Sequence, residues 1–219
     1  MPEIIRGIEQ NSKEWFDLRL GSIGGSSIPA VLAKGKSGKP SKMRKDLMYT
    51  LAKEIITGKR DETYHSKDMD SGHEFEPKAR ALYEWERDVD VEQIAMIKSA
   101  LPRVHVSPDG LVGEDGGIEI KKMKGKVFLE FLYTKTINTY HIYQCQDFLS
   151  VSGRTWIDYI VYCPEFDDTN EGVTIPKKFR GIKPLKVNRL YRDEDMIRLI
   201  ETEVMEFLRE LDEMLERLT

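Results

Sequence analysis

Apolar residues recur at intervals of three or four positions in several parts of the chain, which is the spacing of one face of an α-helix. The longest such stripe follows Asp193 and includes Ile197, Ile200 and Val204. Asp193 is also a residue type that favours the N-cap position. These features predict a long final helix at about residues 193–218. Shorter helices are predicted in the same way at residues 12–20, 28–33, 41–57, 68–87 and 136–151.

Elsewhere apolar and polar residues alternate, which is typical of a strand with one buried face. Helices followed by three strands, another helix and a further strand are the order expected of an α/β sandwich around a mixed sheet. Because no long linker rich in Pro, Gly or Ser interrupts the chain, we expect residues 1–219 to form a single domain. The predicted strands lie at residues 91–98, 103–112, 118–122 and 155–163.

The composition is that of a folded protein. Of the 219 residues, 40% are hydrophobic and 33% are charged; the charged share exceeds the usual ~25% but leaves enough apolar residues for a core. No apolar run approaches the ~20 residues of a membrane span, and the first residues lack the pattern of a secretory signal. Cys145 and Cys163 are too few for a disulfide framework. We therefore expect a soluble cytoplasmic protein without a membrane partner.

The net charge of −4 conceals an uneven distribution. Residues 193–219 contain ten acidic and three basic residues, which leaves a net positive charge on the rest of the chain. Two segments, 34–45 and 121–126, carry lysines and arginines without an acidic residue. This asymmetry would let one side of the protein hold a polyanion. A solvated loop and a solvated helix would produce the same pattern.

Candidate chemistry is concentrated in residues 107–125, SPDGLVGEDGGIEIKKMKG. Asp109 follows Pro108 in a turn, and Glu119 and Lys121 share one face of the returning strand because strand side chains alternate. The hairpin brings Asp109 back toward them. Converging carboxylates form an oxygen-rich site that suits magnesium or manganese, and an adjacent ammonium group can orient a water molecule. An exposed hairpin with Lys–Glu pairs would have the same sequence pattern.

Four motifs together resemble a known enzyme family. Pro108-Asp109, nine intervening residues and then Glu119-Ile120-Lys121 resemble the PD-(D/E)xK nuclease signature. The other three motifs are similar to those of the lambda-type phage alkaline exonucleases, the viral recombinase nuclease family. They are WFDLRLGSIGGSS at 15–27, GHEFEPKARALYE at 72–84 and HIYQCQDFLSVSG at 141–153.

This resemblance implies an α/β fold of the restriction-endonuclease-like type, in which helices flank a central mixed β-sheet. It also implies a magnesium-dependent exonuclease that degrades one strand of linear double-stranded DNA in the 5′-to-3′ direction. The product would carry 3′ single-stranded overhangs for phage-type homologous recombination.

The resemblance further implies roles for individual residues. Asp109, Glu119 and the backbone carbonyl of Ile120 would hold two Mg²⁺ ions, with Mn²⁺ as an alternative. Glu76 would be a further carboxylate at or behind the metals. The attacking water would be assisted by Lys121 and positioned by Gln144. The 5′-phosphate of the DNA would be contacted by Arg19, Ser26 and Ser107.

The sequence departs from the family pattern after the catalytic strand. Where the family often continues with Cys-Pro, this chain has Lys122-Met123. A further phosphate-contacting arginine of the family aligns near Val127, so Lys126 is a candidate substitute.

Assembly and partners are also implied by the family. Lambda-type exonucleases are ring-shaped homotrimers that work with a single-strand annealing recombinase on DNA with 5′-phosphate ends. The family implies a phage or prophage gene expressed in the cytoplasm of a bacterial host. Two alternatives stay open from the sequence: a site-specific endonuclease on the same core, and a catalytically inactive DNA-binding scaffold for recombination.

Overall fold

The computed structural model describes residues 2–35, 38–60 and 67–219 of the chain. Lys36, within the basic segment noted above, lies outside the described residues. The helices are α1 (Lys13–Leu18), α2 (Ile28–Leu32), α3 (Lys42–Thr57), α4 (Lys67–Arg87), α5 (Gly125–Thr134), α6 (Thr139–Ser152) and α7 (Glu194–Leu218). The strands are β1 (Glu3–Ile5), β2 (Ile23–Gly24), β3 (Val91–Glu92), β4 (Met96–Lys98), β5 (Val104–Val106), β6 (Gly110–Val112), β7 (Gly116–Lys122), β8 (Trp156–Tyr162) and β9 (Leu185–Tyr191).

The larger sheet has the strand order β3-β6-β7-β8-β9. β7 and β8 are parallel, while the other neighbours are antiparallel, so the sheet is mixed. Side chains of β8 alternate between two apolar layers. Tyr159 and Val161 join the core that includes α6, and Ile160 packs with Ala79 and Tyr83 of α4. The two helices therefore cover opposite faces of this sheet.

A second sheet has the order β1-β4-β5-β2, with β2 and β5 parallel. Two of the predicted strands are each divided between the sheets: 91–98 becomes β3 and β4, and 103–112 becomes β5 and β6. Pro108 lies between β5 and β6, where a residue without an N–H group interrupts strand pairing. The predicted α/β class with a mixed sheet and flanking helices is confirmed, and the additional sheet is a feature that the alternation did not reveal.

The final helix, α7, packs along its apolar stripe. Ile197, Ile200 and Val204 are buried in the main core. Asp193 is the N-cap, and its carboxylate accepts hydrogen bonds from the backbone N–H groups of Asp195 and Met196 at 3.1 and 3.0 Å. A cap of this kind contributes about 1 kcal/mol.

One helix, α5, is absent from the sequence-based prediction. Its residues are rich in aromatic and β-branched types, which do not favour a helix by propensity. The helix forms because Phe128 and Phe131 face the core at helical spacing. The helix predicted at 136–151 begins a few residues later, where Asn138 caps it. No helix in the described part of the chain combines the length and apolarity needed to cross a membrane.

Candidate active site

The carboxylate of Glu119 lies on β7, where Lys121 and a residue of α6 reach it. Its Oε1 atom is 2.6 Å from Lys121 Nζ and accepts a hydrogen bond from Gln144 Nε2 at 2.8 Å. Glu119 is buried, with 4% of its surface exposed. The alternation of β7 and the placement of α6 on the same side of the sheet therefore bring three of the predicted site residues into direct contact.

Asp109 is fixed to the same strand by backbone contacts. Its Oδ2 atom accepts a hydrogen bond from Ile120 N at 2.5 Å, and its own N–H group donates to Ile118 O at 3.2 Å. Gln10 secures the adjacent turn, because its Nε2 atom donates to the carbonyl groups of Pro108 and Ile94. The chain thus holds Asp109 beside β7 at the point where it passes between the two sheets.

The charges in this cluster are strongly coupled. Burial, followed by repulsion from Glu119 and Glu76, raises the pKa of Asp109 well above its ordinary value. Burial by itself would lower the pKa of Lys121, but attraction to Glu119 and Asp109 outweighs burial and raises it. Fully ionised, these carboxylates would carry more negative charge than the lysine offsets, so the metal-free site disfavours the charged form of Asp109.

This excess of negative oxygen atoms fits a divalent cation. Carboxylate and carbonyl oxygens are the ligands that magnesium and manganese prefer. In the described residues no three acidic, histidine or cysteine side chains form a preformed metal cluster. Glu119 is turned toward Lys121 and Gln144, and Glu76 pairs with Arg80. Metal binding at this site would require these carboxylates to exchange their present partners for the ion.

A cavity of about 430 Å³ connects the acidic cluster with the predicted phosphate-binding residues. Glu76 lines an adjoining cavity of about 370 Å³ that shares Asp109 with the first. Ile120 contributes through its backbone beside Asp109. The predicted site residues that line the larger cavity are Arg19, Ser26, Ser107, Asp109, Glu119, Lys121 and Gln144.

Positive charge and hydroxyl groups also line this cavity. Arg19 stacks on Trp15, with its guanidinium carbon 3.9 Å from the ring centroid. Burial and repulsion from Arg60, which also lines the cavity, lower the pKa of Arg19 to about 10, so it remains charged at neutral pH. The Oγ atom of Ser107 is buried and has no hydrogen-bond partner among the described residues. An unpartnered hydroxyl beside two guanidinium groups is a suitable environment for a phosphate.

His105 orients Arg19 and was not singled out by the sequence pattern. Arg19 Nε donates to His105 Nε2 at 2.9 Å, and His105 Nδ1 lies 2.9 Å from Ser22 Oγ. Because the Ser22 hydroxyl donates its proton to Arg19 O, it must accept from Nδ1–H, and Nε2 is left as the acceptor. Burial, then repulsion from Arg19 and Arg60, lowers the pKa of His105 to about 3, which keeps the ring neutral.

Gly24 leaves the space that this arrangement needs. A Cβ atom at that position would lie 2.9 Å from His105 Nε2 and 3.1 Å from a terminal nitrogen of Arg19.

Lys126, the candidate substitute for the family arginine, is exposed on α5 and does not belong to the described residues that line the cavity. Arg60 does line the cavity and supplies a second guanidinium group there beside that of Arg19.

Sequence reasoning therefore missed His105, Arg60 and Gln10. His105 lies two residues before Ser107 on β5, which is the one sequence signal that could have drawn attention to it. Arg60 and Gln10 occupy loops without a motif, so their positions became evident only when distant segments were brought together.

Comparison with known proteins identifies the family. The model of the YqaJ-like viral recombinase domain matches residues 14–155, whereas no curated protein matches the chain significantly. The chain is similar to the alkaline exonuclease LHK-Exo from Laribacter hongkongensis, with 31% identity, a TM-score of 0.81, and coverage of 94% of this chain and 96% of that one. The structure of LHK-Exo in complex with dAMP matches at 32% identity, with a TM-score of 0.80 and the same coverage.

A more distant likeness concerns the fold alone. A phage related exonuclease from Haemophilus somnus 129PT matches with a TM-score of 0.64 at 13% identity, over 90% of this chain and 96% of that one. The family model and the match to LHK-Exo confirm the predicted resemblance to the lambda-type exonucleases and the restriction-endonuclease-like fold. The chain belongs to the YqaJ-like viral recombinase family.

Proposed function

We propose that this protein is a DNA exonuclease that requires divalent metal ions, with two Mg²⁺ ions bound and Mn²⁺ as an alternative. It degrades one strand of linear double-stranded DNA from the 5′ end and leaves 3′ overhangs. The observation that carries the proposal is the single cavity in which Asp109, Glu119 and Lys121 adjoin Arg19 and Ser107. LHK-Exo, a relative at 31% identity, is an alkaline exonuclease and has been seen with dAMP, which supports hydrolysis of a DNA strand here.

The chain's own residues have distinct tasks in this reaction. Bound at Asp109, Glu119 and the Ile120 carbonyl, with Glu76 nearby, the metal ions would activate water and offset phosphate charge. Lys121 Nζ, held by Glu119 Oε1 at 2.6 Å, can donate a hydrogen bond to the water or to a phosphate oxygen. Gln144 Nε2 keeps the Glu119 carboxylate oriented.

The 5′ end of the strand is recognised by its phosphate. Arg19 uses Nε for His105, so its terminal nitrogens remain for a phosphate oxygen pair. The hydroxyl groups of Ser107 and Ser26 line the same cavity and can donate to the remaining oxygens. A terminal phosphate bound by these residues would hold a neighbouring phosphodiester in the cavity that the carboxylates also line, which would account for cleavage from a 5′ end.

We also propose that the protein acts as a homotrimer in the cytoplasm of a bacterial host. Its partner would be a single-strand annealing recombinase, and its gene would belong to a phage or prophage. Membership of the viral recombinase family supports these proposals.

The test uses a linear duplex labelled separately at the two 5′ ends or the two 3′ ends, in buffer with and without magnesium. We expect metal-dependent release of the 5′ label while the 3′-labelled strands are retained. Closed-circular DNA should resist digestion. Cleavage of circular DNA at defined positions would instead indicate an endonuclease. Absence of all cleavage with magnesium or manganese would indicate a non-catalytic DNA-binding protein.

A further inference from the structure

A third basic segment of the chain, in addition to 34–45 and 121–126, lies outside the candidate active site. Residues 172–192 contain seven lysines and arginines and no aspartate or glutamate, in a protein whose net charge is −4. The segment comprises the later part of the loop that connects β8 with β9, followed by β9 itself, which is the edge strand of the larger sheet. A concentration of like charge of this kind is unfavourable unless carboxylates or an external anion offset it.

Three of these seven cations stabilise the fold. Lys183 pairs with Glu86, Arg189 with Asp158 and Arg192 with Glu194, at 3.1, 2.8 and 2.7 Å. No carboxylate among the described residues pairs with the other four, which are Lys177, Lys178, Arg180 and Lys186. We call Lys177, Lys178, Phe179 and Arg180, all of them exposed, the basic tip.

The backbone of the basic tip has a defined shape. Lys177–Phe179 form a single 3₁₀ turn after Pro176, and the N–H group of Phe179 donates to Pro176 O at 2.8 Å. Ile182, just beyond the tip, donates its N–H group to Phe179 O at 2.9 Å and packs against the main core. The cations are therefore presented on a fixed turn, which reduces the entropy lost when they bind a ligand.

The start of the loop is tied to the helix that carries Glu76. Lys78 Nζ, two residues further along α4, lies 2.8 Å from Asp167 Oδ2 and donates to Thr169 Oγ1 at 2.8 Å. Asp167 also accepts a hydrogen bond from the Tyr162 hydroxyl at 2.6 Å. This buried network holds the loop against the larger sheet.

The loop also begins at the end of the larger sheet where the catalytic strand β7 ends. β7 and β8 are parallel, with Lys121 opposite Val161 and Lys122 opposite Tyr162. The loop begins immediately after Tyr162, so its start adjoins the end of β7 that carries Lys121. A nucleic-acid strand that passes Lys121 at the end of β7 would therefore meet the start of this loop.

The chemistry of the basic tip suits single-stranded DNA. Phe179 has 46% of its surface exposed, and Lys178 Nζ lies 4.7 Å from its ring centroid. A duplex offers only its backbone to such a surface, whereas a single strand offers phosphates for the cations and free base faces for the ring. We propose that the basic tip binds single-stranded DNA adjacent to the active site. This inference rests on the proposed function and identifies a second contact of the same substrate.

The test measures binding of a labelled oligothymidine of about 20 nucleotides, longer than the ~4–16 nucleotides of typical single-strand sites. The full chain is used in EDTA, so that digestion does not interfere. We expect the K177A/K178A/R180A variant to bind about ten-fold or more weakly. The slope of the logarithm of the binding constant against the logarithm of the salt concentration should fall in magnitude by roughly two, because each phosphate contact on a single strand contributes ~0.7. Phe179→Ala should weaken binding about five-fold or more without changing the slope, because it removes stacking alone.

The matched control is R198A/R209A/R217A, which removes the same charge from exposed positions of α7 and should bind like the wild type. Thermal melting of each variant shows whether it is folded. Equal affinities for the basic-tip variant and the control would overturn the inference, as would failure of the wild type to bind. Equal loss on single strands and duplex would show a general DNA surface and also overturn it. A wild type that binds the oligonucleotide through the basic tip but digests no DNA would contradict only the proposed function.

Discussion

Asp109 carries a partly buried carboxylate whose charge is disfavoured by its surroundings. Loss of solvating water is the larger cause, and repulsion from Glu119 and Glu76 adds to it. Such an arrangement weakens the metal-free fold, because a buried charge costs free energy unless it is paired. It is suited to a site that gains its counter-charge from a bound cation.

We expect Asp109→Asn to reduce digestion of linear DNA by at least ~100-fold, because a neutral amide is a much weaker ligand for a hard divalent ion. The amide oxygen can still accept from Ile120 N, so the turn should be retained. The melting temperature in EDTA should be unchanged or higher, since the variant removes a repelled charge. Near-normal digestion in magnesium would show that Asp109 is not a metal ligand.

Arg19 provides a second prediction at this scale. Arg19→Ala should slow digestion of 5′-phosphorylated ends far more than of 5′-hydroxyl ends, because a charge-assisted contact to the terminal phosphate exists only in the first substrate. The measurement is the ratio of initial rates on the two substrates. His105→Leu should lower this ratio in the same direction, because it removes the acceptor for Arg19 Nε.

A conservative variant of His105 distinguishes a role in orienting Arg19 from a role in stabilising the fold. In His105→Gln the side-chain oxygen can accept from Arg19 Nε and the amide can donate to Ser22, so most of the preference should return. Equal losses on both kinds of end in Arg19→Ala would mean that Arg19 is structural or a general DNA contact.

Motifs drew attention to residues that the fold brings together, but not to the residues that support them. Arg19, Ser107 and Asp109 come from separate motifs and line one cavity, while their roles stay predictions. His105 lies 86 residues from Arg19 in the sequence and has no recognisable spacing, so its contact arises only from the pairing of β2 with β5. A pattern can mark a residue type that chemistry requires, but it does not reveal a neighbour fixed by tertiary packing.

Sequence patterns were limited in the same way in predicting the helices and strands. The strand at 155–163 and the helix after Asn138 were predicted because their patterns are long and regular. The division of 103–112 between two sheets was not, because β5 and β6 share one alternating pattern, and the crossing depends on partners far along the chain. The low helix propensity of the α5 residues is likewise overridden by packing of Phe128 and Phe131 against the core.

The contact between α6 and the turn at Gly25–Ser27 yields a prediction about pH. Asp147 of α6 is buried, its Oδ2 atom has no hydrogen-bond partner in the described residues, and a Cβ atom at Gly25 would lie 3.4 Å from it. Burial, followed by repulsion from Glu201, raises the pKa of Asp147 from 3.8 to about 8. The folded protein therefore favours the protonated form, and its stability should fall as pH rises from about 4 to 8.

We expect Asp147→Asn to be more stable than the wild type at pH 8 by about 1–3 kcal/mol, the cost of an unsatisfied buried polar group. The difference should shrink as the pH falls toward 4 and below, because the wild-type carboxyl then becomes protonated in the unfolded state as it already is in the folded state. Urea unfolding at several pH values, without divalent metal, measures it. A difference that is independent of pH would show that Asp147 has the same pKa in the folded and unfolded states, and that burial does not raise it.

At the scale of the whole molecule, the acidic final helix lies closer to the basic segment at 34–45 than the sequence suggested. Lys34 pairs with Glu203 and the buried Arg44 pairs with Glu210, each at 2.8 Å, so α7 offsets part of the basic segment at 34–45. The acidic helix is thus part of the fold's own ion pairing. That residues 1–219 act as a single domain stays a prediction.

The proposed homotrimer rests on membership of the viral recombinase family, and the size of a DNA duplex explains why several subunits would be needed. A duplex is roughly 20 Å wide, and a single chain of 25.4 kDa is too small to surround it, so enclosure needs several subunits related by closed symmetry. Enclosure would let modest contacts from each subunit combine into long residence on DNA. We expect sedimentation to give a species near ~76 kDa, three times the mass of one chain. A monomer at micromolar concentration that still degrades DNA processively would contradict the trimer, because nothing would then prevent dissociation between successive cleavages.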